Sequence, residues 1–273
     1  MANKNPWRPT RSAKEQFNRQ ATHYDARWNS WSAETLAALV RLAELQPHHT
    51  VLDAATGTGF TALAVAPSVQ YVIGVDVSEA MLEQATHQAR ERGLTNLEFL
   101  LASVEQLPLP NHHFDRVTCR LAAHHFTSVP AFLQEAHRVL TRQGLLLIAD
   151  TVAPADPTAA EWFQQVETLR DPSHVRNYTE MEWRQMLHQA GFHLEVCEVK
   201  TEAIPLRFSE WVNKAGCSAE QIAQLRPLFE TDLPNQAKQC FAITATPEGD
   251  ITFAWPRVLL RAQKRYGAPI FSS

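Results

Sequence analysis

Much of what would define a membrane, secreted or metal-binding chain is missing from this sequence. No stretch approaches the ~20 consecutive apolar residues that a spanning helix needs. Met1 to Thr10 is polar, carries Pro6 and Pro9, and lacks the apolar centre of a signal peptide. Cysteine is sparse: Cys119, Cys197, Cys217 and Cys240 are widely scattered without CxxC spacing. That excludes a disulfide frame or zinc site read from spacing and suits reduced thiols in the cytoplasm. Basic residues are not in excess, since the net charge is −4, so a polyanion gains no global attraction and nucleic acid is not an expected partner. Internal repeats and low-complexity tracts are also lacking. A soluble, cytoplasmic protein without membrane insertion is therefore expected. What is present, 273 residues with 45% hydrophobic and 20% charged content, suffices for one large domain or a domain with a smaller cap.

The chain is organised around Val51-Leu52-Asp53-Ala54-Ala55-Thr56-Gly57-Thr58-Gly59-Phe60. A β-branched, apolar run meets an acid, then small residues, then two glycines, and a helical pattern follows. This is the strand, tight turn and helix start of a nucleotide-type site. Seventeen residues after Gly59, the apolar run Tyr71 to Val75 ends in Asp76, where a carboxylate could hold a ribose hydroxyl pair.

Further strands are expected at Leu97–Leu101, Phe114–Cys119, Leu145–Ala149, Phe192–Thr201 and Phe253–Ala262, with helices between the early ones. The alternation predicts an α/β, Rossmann-like, doubly wound and mostly parallel sheet of seven strands. Its ligand belongs at the carboxyl ends of the strands. Residues 1–31 read as an N-terminal helical segment with Phe17, Ala21 and Tyr24 on one face, either packed on the body or serving as a lid. Ser32 is placed as the cap of the next helix. Residues 32–273 form the main domain, with cap insertions at about 151–180 and 205–240, after the fifth and sixth strands. In the second insertion Pro227 and Pro234 are expected to break the helices, and Gly144 is expected to end the helix before the fifth strand.

Gly57-Thr58-Gly59-Phe60-Thr61-Ala62 satisfies a dinucleotide pattern, so a nicotinamide oxidoreductase competes with an S-adenosylmethionine (SAM) enzyme. Asp53 separates the two. Beside a pyrophosphate its charge repels by ~4 kcal/mol per charge pair at 4 Å in an effective dielectric near 20, whereas beside an ammonium or sulfonium it attracts. The segment Asp53 to Gly59 resembles the first motif of class I SAM-dependent methyltransferases, in the form seen in the UbiE-like branch of quinone-biosynthesis methyltransferases. Gly74 to Leu82, Leu107 to Arg120, and Arg138 to Gly144 with the strand after it are similar to that family's later motifs, in order. The likeness covers residues 15–150 well, 151–200 loosely and the remainder hardly at all.

The resemblance implies SAM as cofactor and S-adenosyl-L-homocysteine (SAH) as product. It places Asp53, Ala54, Gly57, Thr58 and Gly59 around the methionine portion, and Asp76 on the ribose. Val77 and Met81 fall near the adenine, Ser103 and Val104 at its edge, and the backbone near Arg120 at the amino-acid end. Ser103 departs from the family, which often has Asp there; a hydroxyl accepts a hydrogen bond without charge.

Methyl transfer from a sulfonium mainly requires alignment and exclusion of water, and a phenol or alcohol acceptor also benefits from a general base. His124 and His125, just past the fourth strand, are candidate bases, with His174 in the insertion as a third. Each has a structural alternative as a cap or packed ring. Arg170 and Arg176, with Tyr24 and Trp28, are candidate substrate contacts; alternatively Arg170 and Asp171 form an exposed ion pair of little worth. Trp162, Phe163, Trp183, Phe208 and Trp211 line a substrate pocket or, on the blander reading, form the core of the cap. His48-His49 and His112-His113 look like polar loops, and no metal site is expected. The expected activity is methylation of a small, partly apolar molecule at oxygen or carbon. A protein that binds SAM without transferring methyl, as a cyclase or sensor, is the alternative, and a homodimer is compatible with the sequence.

Overall fold

The computed structural model describes residues 12–20, 27–201 and 204–265. Helices α1 (Ala13–Gln20) and α2 (Arg27–Leu42) precede the first strand, β1 (Thr50–Ala54). Then follow α3 (Phe60–Val65), β2 (Tyr71–Asp76), α4 (Glu79–Glu91), β3 (Leu97–Leu101), β4 (Phe114–Arg120), α5 (Val129–Val139) and β5 (Leu140–Ala153). The order of the main sheet is β3-β2-β1-β4-β5-β11-β7, with β7 at Phe192–Thr201 and β11 at Pro256–Lys264. The first five strands pair in parallel, and β11 runs antiparallel to both β5 and β7. The seven-stranded, mostly parallel, Rossmann-like sheet expected from the sequence is therefore the observed one. A two-residue strand, β6 (Tyr178–Thr179), adds to the end of β5.

Helices on both faces explain why the central strands read as continuous apolar runs. In β5, Leu145, Leu147 and Ala149 turn to one face against Leu39 of α2 and Ala43 just past its end, while Leu146 and Ile148 turn to the other, where Phe132 and Ala136 of α5 pack. Helix α7 (Glu180–Gln189) covers the same face through Trp183 and Leu187. It starts with a capping box in which Thr179 and Glu182 satisfy each other's backbone donors.

The cap is a separate apolar cluster. It combines α6 (Pro157–Arg170), α8 (Phe208–Lys214), α9 (Ala219–Phe229) and α10 (Asn235–Cys240) with a small antiparallel sheet. That sheet runs β8 (Leu206–Arg207), β10 (Ile251–Phe253), β9 (Thr244–Ala245). Trp162, Phe163, Phe208 and Trp211 are buried in this cluster with Phe229, Phe241 and Trp255, and Trp183 is buried in the main core. The five candidates for pocket lining, Trp162, Phe163, Trp183, Phe208 and Trp211, therefore pack as core.

Several local expectations are corrected. Helix α2 begins at Arg27, upstream of Ser32. Pro227 lies inside α9, where the hydrogen bond it cannot donate falls in the last turn. Gly144 sits within β5 because the chain becomes extended at Leu140; the β4–β5 register skips opposite it, between Phe114 and Arg116. The last stretch is two strands in two sheets, β10 in the cap and β11 in the core. No helix among the described residues is long and apolar enough to cross a membrane.

Candidate active site

A cavity opens at the carboxyl ends of β1, β2 and β4 and is roofed by Ala13 and Phe17 of α1. Of the residues read from the sequence, Asp53, Gly57, Thr58, Asp76, Val77, Met81, Ser103, Val104, Arg120 and His125 line it. Ala54 instead turns into the core, fully buried. Gly59 does not line it either: with φ +87° at the start of α3, a Cβ there would stand 3.1 Å from that of Ala85 on α4. Its lack of a side chain serves helix packing.

The two strand-end carboxylates are held differently. Asp53 is only 2% exposed. Its Oδ2 accepts from Thr56 Oγ1 at 2.6 Å and Ala62 N at 3.1 Å, and its Oδ1 accepts from Thr118 Oγ1 at 2.7 Å. It thus staples the turn to β4 and to the first turn of α3. Burial raises its pKa above the ordinary carboxylate value, against the pull of these bonds and of Arg120. Asp76 accepts from Gly57 N at 2.8 Å and from Ser78 N at 2.9 Å. Burial raises its pKa as well.

Ser78 caps α4 by accepting from Met81 N, and its hydroxyl donates to Asn18 Oδ1 at 2.7 Å, which ties α1 to the cofactor side of the fold. Ser103 Oγ accepts from Glu105 N at 3.2 Å. The Arg120 side chain donates from Nε to Thr61 Oγ1 at 3.2 Å.

Past β4, His124 Nδ1 lies 2.6 Å from Asp150 Oδ1 at the end of β5. Burial disfavours its imidazolium, but Asp150 outweighs burial and holds the His124 pKa above the ordinary value; the Asp150 pKa is correspondingly low. His125 Nδ1 lies 3.2 Å from the Ser173 carbonyl and 3.1 Å from Ser173 Oγ. Burial, with His124 next to it, pushes its pKa down to about 4. The ring of Phe17 meets His125 edge-on, centroids 4.9 Å apart.

His174 is 1% exposed, with Nε2 3.3 Å from Gln164 Oε1; its pKa falls well below normal through burial. The backbone N–H groups of Val175 and Arg176 both donate to the His124 carbonyl, strapping the insertion onto the loop after β4. The three histidines read separately from the sequence are thus one cluster, of which His125 borders the cavity.

Other candidates lie elsewhere. Arg170 is built into the cap, pairing with Glu167 at 3.3 Å and lying 4.8 Å above the Trp211 ring. Neither it nor Asp171 is an exposed ion pair: Asp171 is 8% exposed and bonds Ser173. Arg176 is on the outside, beside Glu182 and over Tyr178. Tyr24 and the side chain of Trp28 fall outside the described residues. Ala55, Thr56, Phe60, Thr61, Leu121, Ala122 and Phe126 line the cavity without having been singled out. Ala55 and Leu121 have positive φ, of 54° and 53°, which no side-chain chemistry announces in sequence. No group of acidic, histidine and cysteine residues fit for a metal occurs among the described residues.

The cavity fits a polar, nucleoside-bearing ligand. Thr58 Oγ1 is buried there without a hydrogen-bond partner, and a Cβ on Gly57 would meet nothing within 4 Å, so the turn leaves room where a ligand would sit. This sheet with acids at the ends of β1 and β2 defines a class I methyltransferase fold. Residues 45–191 match the methyltransferase domain family.

The chain is 34% identical over 250 residues to the uncharacterized methyltransferase YcgJ of Bacillus subtilis, covering 91% of this chain and 98% of that one. It is 35% identical over 147 residues to a demethylmenaquinone methyltransferase of Porphyromonas gingivalis, 50% of this chain and 60% of that one. The crystal structure of YcgJ superposes with a TM-score of 0.82, covering 86% of this chain and all (100%) of that one. That of a Bacillus halodurans methyltransferase, 33% identical, gives 0.80 over 85% of this chain and 99% of that one. The chain belongs to the SAM-dependent methyltransferases, with UbiE-like relatives, and the nicotinamide alternative is set aside.

Proposed function

We propose that this enzyme methylates a small, partly apolar acceptor, such as a phenol, quinol or natural-product intermediate, at oxygen or carbon. The observation that carries this reading is the convergence of Asp53, Asp76 and His125 on one cavity roofed by Phe17. In this reading Asp76 has lone pairs left for ribose hydroxyls after accepting from Gly57 and Ser78. Thr58 and the Gly57 backbone face the methionine portion, Val77 and Met81 pack near the adenine, and Ser103 and Val104 border its edge.

When bound, SAM supplies an electrophilic methyl group on a good leaving group. The chain's part is to align the acceptor, keep water out beneath α1, and take the acceptor's proton. His125 is the base in this reading because it is neutral at physiological pH and borders the cavity. His124 and His174 stand behind it. A nitrogen base with a pKa of about 4 is too weak to pre-form a phenolate, but ample for a hydroxyl that becomes strongly acidic as its oxygen gains the methyl group.

The test is methyl transfer from labelled SAM across phenols, quinols, amines and thiols, with a melting-temperature comparison. SAM at 100 times its Kd should stabilise the fold by about 2.7 kcal/mol while NADH does nothing. Products confined to amines or thiols would overturn the choice of acceptor atom. SAM binding without any product would favour a non-methylating role.

A further inference from the structure

Asp171 and Ser173 belong to the insertion after β5, within the matched family region but outside the motifs that carry the resemblance. The insertion nevertheless reaches back to a residue at the cofactor cavity. Asp171 Oδ1 accepts from Ser173 N at 2.9 Å and from Ser173 Oγ at 2.7 Å. The hydroxyl proton of Ser173 is thereby committed to the carboxylate, so its oxygen faces His125 as an acceptor. The Ser173 carbonyl, on the same imidazole nitrogen, can only accept. Two acceptors on Nδ1 require that Nδ1 carry the proton, and a neutral ring then has its lone pair on Nε2.

We infer that Asp171 and Ser173 are positioning residues that fix His125 as the neutral Nδ1–H tautomer, presenting the Nε2 lone pair at the cofactor cavity. Among the surrounding groups the Asp171 and Asp150 carboxylates favour an imidazolium, but burial together with His124 outweighs them. The His124 ring, 4.2 Å from His125 and paired with Asp150, opposes a second positive charge. His174, 6.4 Å away, is held by Gln164 and is itself buried. Phe17 covers the ring edge-on from α1. The insertion therefore sets the orientation of a site residue rather than supplying one.

The inference rests on the methyl-transfer reading only for the use of the lone pair: as the acceptor oxygen–methyl bond forms and the methyl–sulfur bond breaks, the sulfur keeps the electron pair and the hydroxyl proton passes to Nε2.

The test is the long-range 1H–15N correlation spectrum of the imidazoles in the full chain at pH 7, alone and saturated with SAH. The His125 signals are identified by their loss in His125→Gln. A protonated Nδ1 and pyridine-like Nε2 are expected. Ser173→Ala leaves the backbone carbonyl as the remaining acceptor on Nδ1, so it should shift the His125 signals partway toward the Nε2–H form, and Ser173→Thr, which keeps the hydroxyl, should restore them. Should Ser173→Ala fail to fold, Asp171→Asn is the second variant, expected to shift the same signals. A wild-type Nε2–H tautomer, an imidazolium at pH 7, or signals unmoved by both variants would overturn the inference. On an acceptor that turns over, Ser173→Ala should lower kcat about tenfold with the KM for SAM unchanged. The expected tautomer in a chain that methylates nothing supports the positioning and defeats the methyl-transfer reading alone.

Discussion

Asp53 and Asp76 look equivalent in sequence, each an acid closing an apolar strand, but their partners give them different work. The carboxylate of Asp53 is engaged with Thr56, Thr118 and the Ala62 N–H, so it shapes the turn. Asp76 bonds two backbone N–H groups of the same rim and keeps acceptor capacity for a ligand. Asp53→Ala strands buried donors and should cost about 2–3 kcal/mol in a denaturant melt, with SAM affinity lost alongside. Asp53→Asn should be milder, because an amide oxygen can still receive Thr56 and Ala62. Asp76→Ala should weaken SAM binding about 10–100-fold by calorimetry, the worth of hydrogen bonds to a charged group. The melt should change less than in Asp53→Ala. Equal stability losses in the two alanine variants would show that the division of labour is wrong.

Between elements, a glycine outside the glycine turn also bears on the site. Gly74 in β2 faces Phe99 of β3 and Thr56 of the turn: an added Cβ would stand 2.7 Å from Phe99 Cδ1 and 3.0 Å from Thr56 Cγ2. Gly74→Ala should therefore displace Thr56, whose hydroxyl bonds Asp53, and cost about 1–3 kcal/mol by overpacking together with several-fold weaker SAM binding. Unchanged affinity in the variant would mean that Phe99 alone yields. The sequence made the elements around this site legible because buried parallel strands, such as Leu145 to Ala149, write themselves as apolar runs, and because each opening turn carries its acid. Less legible was whatever depends on contacts distant along the chain. Phe163 and Trp211 read in sequence as pocket lining or, more readily, as cap core, and β8, β9 and β10 closing a second sheet around them decide for core. The run Arg170 to Arg176 stands out as a polar cluster in sequence, but nothing local says that Ser173 meets His125, 48 residues away. Gly144 and Pro227 misled because a breaker residue marks a boundary only where the backbone around it is not otherwise committed to a strand or a final helical turn.

At the scale of the whole molecule, core and cap insertion meet through buried imidazoles, and this ties stability to pH. His125, after β4, and His174, in the insertion, both have pKa values lowered first by burial, that of His125 to about 4. Once the chain unfolds, both return to about 6.5. Between pH 6.5 and about 4 the unfolded chain therefore binds more protons, and stability falls on acidification by up to ~1.4 kcal/mol per pH unit for each group. His49 and His137, also lowered by burial, act with the same sign. Asp150 and Asp171 have lowered pKa values, so their contribution is lost only below the normal carboxylate range and is constant across this window. Asp53 and Asp76, raised by burial, oppose the histidines, but only between the normal carboxylate value and their own raised ones. His124 acts on the other side: its pKa is raised, so the stabilisation from Asp150 is complete below pH 6.5 and fades as pH rises through the raised value. Guanidinium melts should therefore show stability falling from pH 7 to pH 5. His174→Gln should flatten that slope by one proton's share at most, since glutamine fills a similar volume beside Gln164 without titrating. A slope indifferent to this substitution would mean that His174 is protonated in the folded chain, and that the joint between core and cap tolerates a charge its burial argues against.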